Sequence, residues 1–546
     1  MAAYVYLDVS QKQEYIYKNN KLKDNLLRSF VIKAVTERLS SESYDISDIQ
    51  SNLGELLSLE SYLNTEFKEQ FHFEYSGGGN SIIRFSGAEI AKSFIKNYSF
   101  HVLEEYPDLE LYISMVDEEA DKDTLLNLET ENANKIRELL MKRADKIKDE
   151  RRAQFKRWSY GIEEIDKTGR AKIYEEKSYE KDSCHKDSIR ELILRDIKAE
   201  VEDKNVRVTS ELNHYKKENG KSYIGVISID GNGMGDIVKN VVDFEGLREV
   251  SEYINNVYFT AIKNALIEHA EQKQEMQKQF DMVGNKLLVT PILQAGDDIC
   301  IIVEANHAVG IAASILKQII SLSQDDTYKN VTEKYLGTKY LTACAGVAII
   351  KHAYPYFEAI KVAEKLCYEA KNFLHKTQSS SSNYQRQTFI NWEIVQSQVN
   401  ERIKFEEYNK NQDYNQKFTV KPLCIDQCVG IEDDNIISFD AFFEIVNQIK
   451  IHNQDRDNMD SISSFISNSY LEGIKQHMYG GVEPYRFFLN INKEATAELQ
   501  AIVEDAIGRK LEHLLISEEQ NGSHGYTYLI NDVIELLPFV GRGDKE

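Results

Sequence analysis

Apolar and polar positions along this chain switch between a strand period and a helix period, and the switches divide it into segments. The first segment opens on a strand-like "YVYLDV" and a helix-like "NLLRSFVIKAVTERL". It continues through a hairpin at "FHFEYSGGGNSIIRFS", a helix near 87–105 and a strand "LELYISMV". Strands and helices mixed in this way predict an α/β sandwich. From about 121 to 220 the chain turns charged and mainly helical, as in "MKRADKIKDERRAQFKRW", with a small hairpin expected at "GIEEIDKTGRAKIY".

A second mixed segment starts at "SYIGVISIDGNGMGDIV", a strand running into a Gly-rich turn. The following helix places Leu247, Val250, Ile254, Val257 and Ala261 on one face. Next come a hairpin, "LLVTPILQAGDDICIIV", a helix around 308–323 and the strand "LTACAGVAII". A further helix carries Phe357, Ile360, Ala363, Leu366 and Ala370 on one stripe, with Lys361, Lys365 and Lys371 off it. The polar "KTQSSSSNYQRQ" reads as a loop before a closing strand at "TFINWEIV". Beyond 396 a polar insertion leads into a mostly helical tail, clearest at "EATAELQAIVEDAIGRKLEHLL".

The two mixed segments look like copies. "YLDVSQKQEYI" can be laid over "SIDGNGMGDIV", and "YSGGGNSIIRF" over "QAGDDICIIV", each pair separated by roughly 70 residues. In this overlay Asp8 matches Asp230, while Gly79 and Asn80 stand where the second copy has Asp297 and Asp298. The first copy therefore lacks the carboxylate pair.

Composition narrows the function classes. A chain of 546 residues with 42% hydrophobic and 28% charged residues has the make-up of a globular protein and room for roughly three or four domains. Its net charge of -23 opposes broad adhesion to nucleic acid or acidic membranes, so an anionic ligand depends on local lysines or bound metal. No stretch is long and apolar enough to span a bilayer, and the start has no signal-peptide pattern; a cytoplasmic location is expected, with the six scattered cysteines as thiols.

Two adjacent Asp residues in a turn repel unless a cation or solvent offsets them. With Asp230 at the end of a neighbouring strand, three carboxylates gather at one sheet edge. Such a set suits two hard cations that bridge substrate phosphates, as in nucleotidyl transfer. Gly231, Gly233 and Gly235 would let backbone approach a triphosphate. Each feature has a plainer reading. A Gly-Asp-Asp turn can simply be solvated, and Lys361, Lys365 and Lys371 can be the wet face of a helix. Cys184 and His185 in "DSCHKD", and "CIDQC", lack a second zinc-like ligand pair. The basic run from Lys142 to Arg157 is a solvated face or an RNA or nucleotide contact. His352 reads as structural.

"SIDGNGMGDIV", "AGDD" and "TACAGVAIIKHAYPYFEAIKVAEKLCYEAK", in this order, resemble the second palm domain of the large polymerase subunit of type III CRISPR effector complexes, a palm related to GGDEF cyclases. The first segment is similar to that family's inactive palm, on "VSQKQEYIYKNNKLKDNLLRS" and "YSGGGN". The resemblance implies two ferredoxin-like palms, each an antiparallel sheet with helices on one face: a degenerate one at 1–120 and a catalytic one at 221–395. A helical linker at 121–220 would join them, and a mainly helical domain would occupy 396–546. It implies cyclic oligoadenylate synthesis from ATP with Mg²⁺ or Mn²⁺; the alternatives are a GTP-using cyclic dinucleotide synthase and a catalytically silent palm pair that binds nucleotide or RNA as a sensor or scaffold subunit. Asp230, Asp297 and Asp298 would hold metal and catalyse, and Gly231 and Gly296 would lie beside the nucleotide. Lys371 would touch the triphosphate, and the first palm would hold the acceptor nucleotide. Nucleoside triphosphates are then the ligands, with RNA or other CRISPR or defence subunits as further partners, and no oligomeric state is fixed. Three departures stand out: Ala295 replaces the family's first turn glycine, no HD nuclease domain is seen, and "GIEEIDKTGRAKIY" would be a metal-free remnant of the zinc module.

Overall fold

The computed structural model describes residues 2–17, 22–40, 56–126, 132–151, 194–217, 222–239, 241–279, 285–325, 331–336, 340–378, 387–395, 415–425, 436–454, 466–520 and 523–540. The expected hairpin at 161–174, Cys184, His185, Cys428 and the end of the basic run at 152–157 lie outside these residues.

Strand β1 (Ala3–Val9) is followed by helix α1 (Leu22–Thr36) and the hairpin of β2 (Phe71–Gly77) and β3 (Asn80–Phe85). Helix α2 (Ala88–Glu105), β4 (Leu111–Asp117) and the long helix α3 (Asn132–Arg151) complete the first palm. Its four strands pair antiparallel in the order β2-β3-β1-β4. Strand β5 (Val206–Val208) precedes the second palm, which runs β6 (Tyr223–Gly231), α4 (Phe244–Gln279), β7 (Leu287–Ala295), β8 (Asp298–Glu304), α5 (Ala305–Ser323), β9 (Ala343–Lys351) and α6 (Tyr356–Gln378). Then come β10 (Phe389–Val395), β11 (Asn415–Lys417) and β12 (Leu423–Cys424).

The second sheet has seven strands, ordered β12-β10-β9-β6-β8-β7-β5. Its inner run β7-β8-β6-β9 repeats the strand order of the first palm, so the duplication read from the sequence exists in three dimensions. The register agrees as well. Asp8 pairs with Asn80 across β1 and β3, and Ile229 with Ile299 across β6 and β8, which carries Asp230 opposite Asp298.

Two features differ from the expected palm. The second sheet is mixed, because β10 runs parallel to β9 and β5 parallel to β7; β5 and β12 come from outside 221–395. Helices also cover both faces. Ile227, Ile229, Ile301 and Val303 turn toward α4 and α5, whereas Val226, Cys300 and Ala348 turn toward α6. The sequence of β9 requires this, since every residue from Ala343 to Ile350 is buried and no polar face remains for water.

The palms interlock reciprocally. Helix α1 of the first packs on β7 of the second, and α4 of the second packs on β2 of the first. Asn25 donates to the Tyr356 hydroxyl at 2.6 Å, and Tyr4 stacks on Phe244 with ring centroids 5.8 Å apart.

The C-terminal part contains α7 (Phe439–Gln454), α8 (Asn468–Tyr479), α9 (Val482–Ile491), α10 (Lys493–Ile507) and α11 (Leu529–Leu536). Between α10 and α11 lies an antiparallel hairpin, β13 (Leu515–Gln520) and β14 (Ser523–Tyr528), to which β11 adds a parallel strand. This small sheet was not anticipated, because "LISEEQ" and "SHGYTY" are too short and polar to announce strands. The tail docks through Trp392, which packs on Phe439 and Phe442, and through an ion pair between Lys317 and Asp440.

Gly346 sets how closely α6 lies on β9: an added Cβ would sit 2.0 Å from the Ala363 carbonyl oxygen and 2.4 Å from the Cys367 nitrogen. Both obstacles are backbone, so neither can rotate away. Gly346→Ala is expected to destabilise the second palm by about 1–3 kcal/mol or more, the range for overpacking, read as a lower midpoint in denaturant unfolding. An unchanged midpoint would mean that α6 lifts freely from the sheet.

Candidate functional site

The site grows from one hairpin and the end of the strand beside it. Strands β7 and β8 close with Ala295 paired to Asp298, leaving Gly296 and Asp297 as the two turn residues. Gly296 has φ +67°, a left-handed value that two-residue hairpin turns require and that a Cβ disfavours. Ala295 is the last residue of the strand and lies before the two turn residues.

Asp230 lies next to last in β6, opposite Cys344 of β9. The backbone N–H of Gly231 donates to the Asp297 carboxylate. A Cβ on Gly231 would stand 2.8 Å from an Asp297 carboxylate oxygen and 2.4 Å from the Met234 methyl. Glycine at 231 is therefore what allows Asp297 to lie against the strand end. Lys371 of α6 reaches over the same edge, its ammonium 2.6 Å from Asp230 and 2.7 Å from the Gly231 carbonyl oxygen. The residues singled out in the sequence, Asp230, Gly231, Gly296, Asp297, Asp298 and Lys371, thus meet at one sheet edge.

Their electrostatics are strained. Burial first, and the charge of Asp230 second, push Asp297 up to about 6. The same two causes, with Asp297 added, push Asp298 up to about 7. Lys371 acts in the opposite direction on both carboxylates. A carboxylate so raised is held in a poorly solvated place among like charges.

Three contributors escaped the sequence reading. Glu364 of α6 is raised to about 7 by burial and then by Asp298, and it accepts a 2.8 Å hydrogen bond from Gln13 of the first palm. Its signal was its place two turns before Lys371 on one helix face. Tyr258 of α4 is fully buried, and its hydroxyl has no hydrogen-bond partner among the described residues. Burial, followed by Asp297 and Asp230, holds that phenol well above its ordinary range. It directly follows Val257 of the buried stripe, so its hydroxyl was a foreseeable polar atom in an apolar layer. Lys12 of the first palm acts on Asp298 from across the interface and lowers it.

The matching place in the first palm is built differently. Asp8 is met by Lys148 of α3 at 2.7 Å and by Lys12 at 3.6 Å, and Lys12 also donates to the Gly78 carbonyl oxygen at 2.8 Å. Lys148 stands to Asp8 as Lys371 stands to Asp230. Where the second palm gathers acids, the first has a glycine turn and a second ammonium.

Among the described residues no three His, Cys, Asp or Glu side chains form a ready-made ion cage. The site instead offers an all-oxygen, mutually repelling donor set beside an orphaned phenol, and that chemistry fits a hard divalent cation. Asp230, Asp297 and Asp298 are the residues that would hold it. Elsewhere the plainer readings apply: Lys361 and Lys365 are exposed and pair with Glu358 and Glu369 on their own helix, and the His352 ring meets the Leu212 carbonyl at 2.8 Å. Cys300, Cys344, Cys367 and Cys424 are buried thiols outside any disulfide, and among the described residues no helix is long and apolar enough to cross a membrane.

Residues 223–379 match the family model of the second palm domain of Cas10/Cmr2. No curated protein matches the chain. Among solved structures, the chain is similar to Csm1 of T.onnurineus, with 11% identity, a TM-score of 0.49, and coverage of 98% of this chain and 69% of that one. It is also similar to a Csm1-Csm4 cassette in complex with pppApA, with 12% identity, a TM-score of 0.36 and coverage of 68% and 53%. A cassette in complex with cA4 gives 10% identity, a TM-score of 0.39 and coverage of 91% and 70%. The chain thus spans 53% of the length of the pppApA-bound relative.

The raised carboxylates predict a pH effect on stability. Because Asp298 titrates at about 7 in the folded chain and at about 3.9 unfolded, the native state binds more protons between these values. Stability therefore falls as pH climbs through that window, and the loss is complete above the folded value. Asp298→Asn is expected to raise metal-free stability by about 1–2 kcal/mol at pH 8, fading toward pH 4, as read by denaturant unfolding across pH. A gain of equal size at both ends would show that charge is not the cause.

Proposed function

With residues 223–379 a second palm of the Cas10/Cmr2 family, within a Cas10-like palm polymerase subunit, we propose that the chain is a metal-dependent nucleotidyltransferase. It joins ATP into cyclic oligoadenylate messengers in type III CRISPR or related antiviral defence. The observation that carries this reading is the meeting of Asp230, Asp297 and Asp298 with Lys371 at one edge of that palm. The choice of ATP and of a cyclic product rests on the family resemblance of the sequence.

When bound, a divalent cation would sharpen an attacking ribose hydroxyl and offset charge on the leaving pyrophosphate. The chain's own residues supply the rest. Asp297 and Asp298 present anionic oxygens from a turn fixed by Gly296, and Gly231 opens the backbone to a phosphate. Lys371 already sits at this edge and is long enough to exchange Asp230 for a phosphate oxygen. Lys12, Gln13 and the Gly77–Gly79 turn form the wall that the first palm presents to the site, where the acceptor nucleotide would lie.

Incubation with ATP and Mn²⁺ is expected to yield a cyclic or linear adenylate. Asp297→Ala combined with Asp298→Ala should lower that yield by at least about a thousandfold, the scale of losing transition-state electrostatics, with ATP turnover followed by chromatography. Undiminished product from the double variant would refute the assignment, and product from GTP alone would redirect it to a cyclic dinucleotide synthase.

A further inference from the structure

Helix α4 brings two side chains toward the acidic edge. Ser251 and Tyr258 stand two turns apart on that helix, so both lie on the same side of it. Ser251 hydrogen-bonds the Tyr75 phenol of the first palm, and Tyr75 feels the charge of Asp297. Two turns on, Tyr258 feels Asp297 first among the charged groups and Asp230 second. Its ring belongs to the cluster that holds Ile229, Ala343 and Ala345, with Met234 packed against that cluster. The Met234 methyl lies against Gly231, where an added Cβ would meet it and an Asp297 carboxylate oxygen together. Tyr258 thus stands under the turn, on the α4 side of the sheet.

The two phenols are not equally engaged. Tyr75 donates to the Gly77 carbonyl oxygen at 3.2 Å and also meets Ser251. Tyr258 is fully buried, and its hydroxyl has no hydrogen-bond partner among the described residues. A buried polar atom in that state has lost its water and gained nothing in exchange, a cost that phenylalanine would avoid while keeping the ring's packing. The other polar groups acting on Tyr258 are taken. The Cys367 thiol donates to the Cys344 carbonyl oxygen at 3.1 Å, Cys344 bonds Asn232, and Asp230 is paired with Lys371. The Asp297 carboxylate receives the N–H groups of Gly231 and of its own residue, which leaves lone pairs over, since a carboxylate has about four acceptor sites. Asp297 is the acceptor left for the phenol.

We propose that Tyr258 is a positioning residue for the cation site: when a divalent cation binds the edge, the Tyr258 hydroxyl donates to the Asp297 carboxylate and fixes which oxygen faces the ion. Carboxylates that ligate metals are held by donors of this kind, and their loss lowers metal affinity. Without the cation the hydroxyl stays unpaired, and the fold carries its cost. The role rests on the reading of Asp230, Asp297 and Asp298 as a cation site.

Mn²⁺ titrated into the full chain without nucleotide, followed through the electron paramagnetic resonance of the free ion, tests this. The binding that Asp297→Ala combined with Asp298→Ala removes is the binding at the edge. Tyr258→Phe is expected to weaken that binding about tenfold or more. Because it deletes an unpaired buried hydroxyl, it is also expected to raise the denaturant midpoint of the metal-free chain. A phenol that only packs would leave the Mn²⁺ affinity alone, so equal affinity in Tyr258→Phe overturns the proposal. A lowered metal-free midpoint overturns it too, by showing the hydroxyl already bonded. Absence of edge-specific Mn²⁺ binding by the unaltered chain overturns it together with the metal-dependent function. Tyr258-dependent Mn²⁺ binding in a chain that makes no adenylate refutes that function alone. Adenylate synthesis with Tyr258-independent Mn²⁺ binding refutes the positioning role alone.

Discussion

The ammonium of Lys371 lies 2.6 Å from Asp230 and 2.7 Å from the Gly231 carbonyl oxygen, and the acidic edge of the second palm depends on it. Three carboxylates brought to a strand end and a hairpin turn would drive one another apart, or take up protons, without a compensating charge. Lys371 supplies one such charge from α6, and α6 can reach because Gly346 lets it lie directly on β9. Backbone packing at one end of the helix and electrostatics at the other are therefore a single constraint. Any movement of α6 changes the affinity of the edge for protons.

The first palm shows the same solution applied to a weaker problem. Asp8 pairs with Lys148 of α3 as Asp230 pairs with Lys371 of α6, at matching places in the duplicated fold. With Gly79 and Asn80 in place of two aspartates, however, a second ammonium, that of Lys12, approaches instead. A palm pair in which one copy has glycine and asparagine at the acidic positions and a lysine close by becomes a pair of unlike charge. Lys12 and Gln13 then serve the other copy, one acting on Asp298 and the other hydrogen-bonded to Glu364.

What could be read from the sequence followed from period and punctuation. The alignment of Asp8 with Asp230 and of Asn80 with Asp298 was legible because strand register advances in steps of two and glycines mark both turns. Lys371 was visible only through the family pattern, since a lone lysine off an apolar stripe reads as solvated. Glu364 and Tyr258 were hidden because their surroundings are assembled only by the fold: Gln13 and Asp298 meet Glu364, and Asp297 and Asp230 act on Tyr258. The ends of the second sheet were hidden too, because β5 and β12 are pairs of edges contributed by segments whose composition announces helix or loop. Helices on both faces departed from the expected one-sided palm, although the unbroken apolar run of β9 carried the signal.

The reciprocal packing of α1 on β7 and α4 on β2 gives the two palms one shared cleft. Two identical acidic palms facing across such a cleft would oppose their carboxylates and repel. Here the face opposite Asp298 carries Lys12, which acts on it from across the interface, so attraction holds where repulsion would otherwise act. That asymmetry gives the degenerate copy a physical reason to exist. With Gly79 and Asn80 where acids would stand, the first palm adds no further repulsion at the acidic edge, and Lys12 offsets part of what is already there.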